Sequence, residues 1–115
     1  MKHTLDAKDQ KLGRLATKAA SLLMGKNLTS FVRNAAPTDV TVEIINASKA
    51  SIATNKMKQT TYARYSGFPG GLKTPNMVDI VAKKGYSELF RLAIQGMIPN
   101  NRLRPGMMKR LTISE

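Results

Sequence analysis

The chain has 115 residues, no cysteine, one histidine, and nineteen Lys and Arg against seven Asp and Glu, a formal charge of +12 with a pI near 10.4. Without cysteine there can be no disulfide, thiolate metal site or thiol nucleophile, and no apolar run approaches the ~20 residues a membrane-spanning helix requires. So much positive charge on so small a chain repels itself when compact, and a polyanionic partner is the simplest source of neutralisation.

Residues Lys2 to Ala7 read as a short opening strand, and Asp9-Gln10-Lys11 as the turn into a helix. Leu12, Leu15, Ala16, Ala19, Leu22 and Leu23 recur at the i, i+3, i+4, i+7 spacing, which predicts a helix with one buried stripe, closed by Gly25. Its other face carries Lys11, Arg14 and Lys18, with Lys26 just beyond the end. Leu28 to Pro37 is a linker. Val40 to Ile45 alternates and is rich in β-branched residues, so it is the clearest strand, with Glu43 facing solvent or pairing with a cation. Lys49 to Ile52 reads as a helical turn and Asn55 to Lys58 as a basic turn. Gln59 to Tyr65 reads as a second strand that runs into a glycine loop. Thr74-Pro75 sets a capping hydroxyl before a proline and predicts a helix through Met77, Ile80, Val81 and Lys84 to Gly85. Ser87 is the expected cap of the next helix, whose apolar face is Leu89, Phe90, Leu92, Ala93, Met97 and Ile98, and Pro99 stops it. Asn100 to Gly106 is a loop bearing Arg102 and Arg104, Met107 to Leu111 is helical, and Leu111 to Ser114 is extended.

Strands interleaved with helices predict an α/β fold, a three-layer α/β/α single domain over residues 1–115 with a small, mostly parallel sheet and cations on loops and outer helix faces. Aromatic residues are only 5% and Trp is absent, so the core must come from Leu, Ile, Val, Ala and Met. The opening Met-Lys-His-Thr-Leu-Asp meets an acid too early for a signal peptide, and with no cysteine it suits a cytosolic protein or its organellar equivalent.

Charge is also unevenly placed. Gln10 to Thr38, Ile44 to Val78 and Leu89 to Ser114 hold cations and no acid, whereas a merely solubilising surface would intersperse the signs. At the centre lies Tyr62 to Lys73, where Gly67, Gly70, Gly71 and Pro69 stand among Tyr62, Tyr65 and Phe68 and between Arg64 and Lys73. Gly67-Phe68-Pro69-Gly70 has the GXXG form that can bring bare backbone against a nucleic-acid chain, the rings can stack on bases or sugars, and the cations can hold phosphates. The anion this favours is RNA. Catalysis is poorly provided for: His3 is the only imidazole and lies near a terminus, while the acids are scattered with no metal-ligand spacing. Gly25-Lys26 lacks both the preceding glycine and the following hydroxyl of a P-loop.

The order of these pieces resembles one family. Asp6-Ala7, Leu12-Gly13-Arg14-Leu15-Ala16, Gly25-Lys26, Asn46-Ala47 with Lys49, Tyr62 with Ser66-Gly67 and Pro69-Gly70-Gly71-Leu72-Lys73, then Gly96-Met97 with Pro99, are similar in order and gaps to bacterial-type large-subunit ribosomal protein thirteen, the universal L-thirteen family. The likeness runs from about Asp6 to Ile113. It implies an α/β/α domain on a small parallel sheet, docked on large-subunit (23S-type) ribosomal RNA, that joins early in assembly beside neighbouring large-subunit proteins. It implies no catalytic residue, metal, cofactor, membrane or small-molecule substrate.

Carried over by position, the RNA-facing residues are Arg14, Lys26, Lys56, Arg64, Ser66, Gly67, Gly70, Gly71 and Lys73, with Arg102, Lys109 and Arg110 in the basic C-terminal part. Gly13 is expected to serve close packing at the helix start. Arg104-Pro105 stands in place of Gly-Arg, Tyr65 in place of His, Thr38-Asp39 in place of Gly-Asp, and Gln95 and Asn100 in place of lysines. The family's usual leading segment and tail have no counterpart here, from which a thinner terminal anchor is expected. The expected function is a structural constituent of the large ribosomal subunit that bridges RNA segments and makes no chemical turnover. Two rivals remain: an enzyme that holds a phosphorylated substrate in the Gly67 to Lys73 loop, and a regulator that binds messenger RNA away from ribosomes. A deep enclosed pocket with two facing acids would favour the first, and a flat convex basic surface favours RNA.

Overall fold

The computed structural model describes residues 1–115. Strand β1 (Lys2–Asp6) leads into helix α1 (Leu12–Met24), and β2 (Thr41–Ile45) follows after a loop. Then come a 3₁₀ turn (Ala47–Lys49), α2 (Thr54–Gln59), β3 (Arg64–Tyr65), β4 (Leu72–Lys73), α3 (Met77–Lys84), α4 (Tyr86–Met97), α5 (Arg104–Lys109) and β5 (Leu111–Ile113). Strands β1, β2 and β5 form a parallel sheet in that order, with His3 beside Val42 and Leu111 beside Val42 on its other side. The α/β class and the small parallel sheet are as the sequence indicates.

Side chains alternate across the sheet with period two, so His3, Leu5, Val42, Ile44, Leu111 and Ile113 share one face. Helices α1 and α4 pack on each other and on this face, as expected when successive right-handed crossovers step the same way along a parallel sheet. Leu15, Ala16, Ala19 and Leu23 of α1 meet Leu89, Phe90 and Ile94 of α4 in one buried cluster with Val42 and Ile44. Each large side chain sequestered this way contributes roughly 1.5–3 kcal/mol. On the other face Lys2, Thr4, Thr41 and Thr112 stay in water, and Glu43 is half-buried with its carboxylate 2.9 Å from Lys2 Nζ. The chain measures 46 × 36 × 18 Å, a thin slab with two broad faces.

Local chemistry explains where elements differ from the sequence reading. The expected basic turn at Asn55 to Lys58 is helix α2, because Met57 packs against the core while Lys56 and Lys58 lie outside; one apolar residue leaves no periodicity to read. The helical turn expected over Lys49 to Ile52 lies two residues earlier, where Asn46 takes a left-handed conformation (φ 58°). The strand expected over Gln59 to Tyr65 shrinks to Arg64–Tyr65 and joins β4 instead of the sheet, since the Tyr62 N–H donates to Pro75 O (2.9 Å) and Thr61 bridges to Asn76. That pairing keeps Asn76 extended (φ −92°, ψ 178°), so α3 starts at Met77 rather than at Pro75. Asn76 caps it in place of Thr74: the Asp79 N–H donates to Asn76 Oδ1 (3.0 Å) and the Asn76 N–H to Asp79 Oδ2 (3.3 Å). Ser87 is not the cap of α4. Gly85 holds that place at φ 83°, and the Ser87 N–H donates to Glu115 Oε1 (3.2 Å). Helix α5 begins at Arg104, within the expected loop, because Pro105 in a first turn forfeits no intrahelical bond.

Candidate nucleic-acid interface

The loop centred on the glycines is a short ribbon that stands apart from the sheet. Strands β3 and β4 are antiparallel, with Arg64 opposite Lys73 and Tyr65 opposite Leu72. Between them the chain reverses through Gly67 (φ 89°) and Gly70 (φ 74°), both in the left-handed region, and the Gly71 N–H donates to Phe68 O (2.9 Å). A Cβ at Gly71 would collide with Ser66 Oγ and the Phe68 carbonyl. The turn itself therefore requires glycine at these three positions.

Because side chains alternate along the ribbon, Arg64 and Lys73 share one side and Tyr65 and Leu72 the other. The cationic side forms one wall of a groove of about 900 Å³ whose other wall is α3 and the start of α4, lined there by Asp79, Lys83, Lys84 and Glu88. Tyr62 lies along it, half-buried against the core, and burial raises its hydroxyl above the ordinary 10.0, so it remains a neutral phenol. Four cations thus meet two acids. Asp79 is engaged in the α3 cap and Glu88 is 4.0 Å from Lys84, so neither answers Arg64 or Lys73. Of nineteen Lys and Arg in the chain, only Lys2 and Lys84 lie within 4.0 Å of a carboxylate. Such a groove can take a chain of phosphates, for which Arg supplies a planar fork and Lys a mobile point charge.

The structure gathers Arg64, Ser66, Gly67, Gly70, Gly71 and Lys73 into this one ribbon. The remaining expected residues lie on other elements. Arg14 is exposed on α1 and Lys56 on α2. Lys26 is exposed beyond the Gly25 cap and lines a second depression with Arg33, Phe31 and Asn101, next to Arg102. Lys109 is exposed at the end of α5. Arg110 is half-buried: its Nε donates to Gly106 O (3.3 Å), and its Nη1 is buried without a hydrogen-bond partner. Burial lowers its guanidinium pKa below the ordinary arginine range, opposed by the charge of Asp39.

Lys83 and Lys84 were not legible as part of this site. Two lysines in a last helical turn read as ordinary partners of the helix dipole, and only the ribbon's placement shows what they face. Gly13 also differs from expectation. A Cβ there would meet nothing within 4 Å, so no close packing demands glycine at the start of α1.

The sequence is similar to known proteins of one family. A family profile described as Ribosomal protein L13 matches residues 1–115. A large ribosomal subunit protein uL13 of Salinispora arenicola is 40% identical over 111 residues, which cover 96% of this chain and 74% of that protein. One of Dehalococcoides mccartyi is 40% identical over 113 residues, 98% of this chain and 78% of its own length. One of Parafrankia sp. is 45% identical over 101 residues, 88% and 67% of the two lengths.

Proposed function

Because the chain belongs to the ribosomal protein L13 family, we propose that it binds large-subunit ribosomal RNA and bridges RNA segments early in subunit assembly. It is a ribosomal protein of the large subunit and not an enzyme. Its mechanism is charge neutralisation. Lys and Arg meet phosphates of segments that would otherwise repel, and the glycine turn lets backbone N–H groups approach the same surface. Residues 1–115 act as one ribosomal-protein domain. Its place is the large subunit in the cytoplasm, or the organellar equivalent, beside neighbouring large-subunit proteins.

The observation that carries this reading is the groove in which Arg64, Lys73 and Lys83 have no acidic partner within ion-pair distance. Arg64, Ser66, Gly67, Gly70, Gly71 and Lys73 form the principal contact. Arg14, Lys26, Lys56, Arg102, Lys109 and Arg110 extend it over other parts of the slab. Recognition is of backbone and shape, so sequence preference among RNAs of equal fold is slight.

The test is sedimentation and titration. The native protein should travel with large subunits in a gradient, and the purified chain should bind large-subunit RNA with log K falling linearly in log salt, with a slope of several units. A protein found only in the ribosome-free fractions, or binding indifferent to salt, would overturn the proposal.

A further inference from the structure

The same ribbon has a second side. Tyr65 and Leu72 are 64% and 61% exposed, and Phe68 at the turn is 74% exposed, the largest value among the large hydrophobic residues of the chain. They project from an element of two two-residue strands, which has too little pairing to justify an apolar surface by its own stability. Large apolar side chains grouped in water mark a contact surface. Tyr65 and Leu72 lie back to back with Arg64 and Lys73, and Phe68 stands at the turn that joins the two strands.

We propose that Tyr65, Phe68 and Leu72 form a platform for unpaired bases of the RNA strand whose phosphates Arg64 and Lys73 hold. The inference rests on the RNA-binding reading above and adds to it the part of the nucleotide that this side engages. Charge argues for RNA over a protein partner. The window Ile44 to Val78 that contains the ribbon holds no acid, and neither Arg64 nor Lys73 has a carboxylate within 4.0 Å, so the partner that complements the whole ribbon carries negative charge as well as flat apolar groups. A nucleotide strand brings both components at once: a base with a flat π face and a phosphate one backbone step away. Tyr65 and Phe68 supply the rings, and Leu72 gives apolar contact at the edge of the stack. The opposed disposition of rings and cations lets successive nucleotides pass over the ribbon's end, with bases outward and backbone toward the groove.

The experiment compares two probes of equal charge: an oligouridylate of about ten nucleotides and an abasic ribose-phosphate chain of the same length, at one fixed salt concentration. The wild-type chain should bind the base-bearing probe about tenfold more tightly, the order expected for aromatic stacking. Tyr65→Ala with Phe68→Ala should abolish that preference and leave affinity for the abasic chain unchanged, while Tyr65→Phe keeps the preference. Arg64→Ala with Lys73→Ala should weaken both probes alike. All of these side chains are exposed, so each variant should melt as the wild type does. Equal affinity for the two probes, or a preference that survives the double alanine change, overturns the platform while leaving the phosphate-binding reading intact. So does a photocrosslinker at position 68 that captures protein and no nucleotide in intact subunits. Failure of the wild-type chain to bind either probe overturns both.

Discussion

Arg64 and Lys73 sit directly opposite each other across the β3–β4 ribbon, two like charges on one side of an antiparallel pair. In the free protein this placement is unfavourable by a few tenths to about 1 kcal/mol, because nothing between them is negative. A phosphate in the groove converts that repulsion into a clamp. The double change Arg64→Ala and Lys73→Ala should therefore weaken binding to large-subunit RNA and reduce the salt slope by about 1 to 2, while free-protein stability stays level or rises. Titration at several salt concentrations, with a thermal melt of each protein, checks both halves. Unchanged binding at every salt concentration would remove the ribbon from the interface.

Lys83 and Lys84 stand on the facing wall. Lys83→Ala with Lys84→Ala should weaken RNA binding in the same way, and the loss should be less than additive with that of the ribbon pair if all four cations grip one stretch of backbone. The Lys84–Glu88 contact is long and exposed at the lysine, so its loss should cost less than about 0.5 kcal/mol of stability. Full additivity in a double-mutant cycle would mean that the two walls hold separate segments.

The glycines divide into two kinds that a stability measurement can separate. Gly71→Ala forces the turn open against Ser66 and the Phe68 carbonyl, which should impair RNA binding with little effect on the core, since the ribbon stands outside it. Gly13→Ala meets open space within a helix, so the free protein should gain roughly 0.5–1 kcal/mol. A raised melting temperature with reduced RNA affinity for Gly13→Ala would show that the bare backbone there is kept for a partner.

Elements with a strong period were legible from the sequence, and elements fixed by distant contacts were not. Leu12 to Gly25 declared helix α1 because its apolar stripe and its left-handed cap agree. Val40 to Ile45 declared β2 because alternation and β-branching coincide. Gln59 to Tyr65 looked like more strand than it is, since the bond from Tyr62 to Pro75 O is invisible without the fold. The same holds for the site: Arg64 and Lys73 were readable beside their glycines, whereas Lys83 and Lys84 become part of it only when the ribbon is laid along α3.

Asp6 closes the end of β1 by accepting hydrogen bonds from the Lys8 N–H (2.9 Å) and from Asn46 Nδ2 (3.0 Å). These two bonds, helped by the charges of Lys8 and Lys49, lower its pKa from the ordinary 3.8. A depressed folded pKa gives stability that is complete above the unfolded value and disappears as pH falls through the folded one. Asp6→Asn should therefore melt below the wild type at pH 5 and above, with the gap closing as pH falls below about 4. Melting curves between pH 7 and pH 2 measure it, and a gap that stays constant to pH 2 would show that ionisation of Asp6 plays no part.

The cap of α3 links stability to the site. Asn76 and Asp79 bond reciprocally at the helix start, and the last turn of the same helix delivers Lys83 and Lys84 to the groove. Asn76→Ala removes one acceptor and leaves the Asp79 N–H without its partner, a change that costs about 1 kcal/mol at a helix N-terminus. Thr61 bridges to Asn76 through the backbone, so the substitution keeps the connection to the ribbon and frays only the first turn. The expected result is a melting temperature lower by several degrees, as a domain of this size shows for such a loss, with RNA affinity reduced less than by Lys83→Ala and Lys84→Ala. Restoring a cap with Asn76→Asp should recover the melting temperature. If it recovers stability without recovering affinity, the added acid beside the groove residue Pro75 is repelling phosphate, which would place the RNA backbone within about a Debye length, roughly 10 Å, of the start of α3.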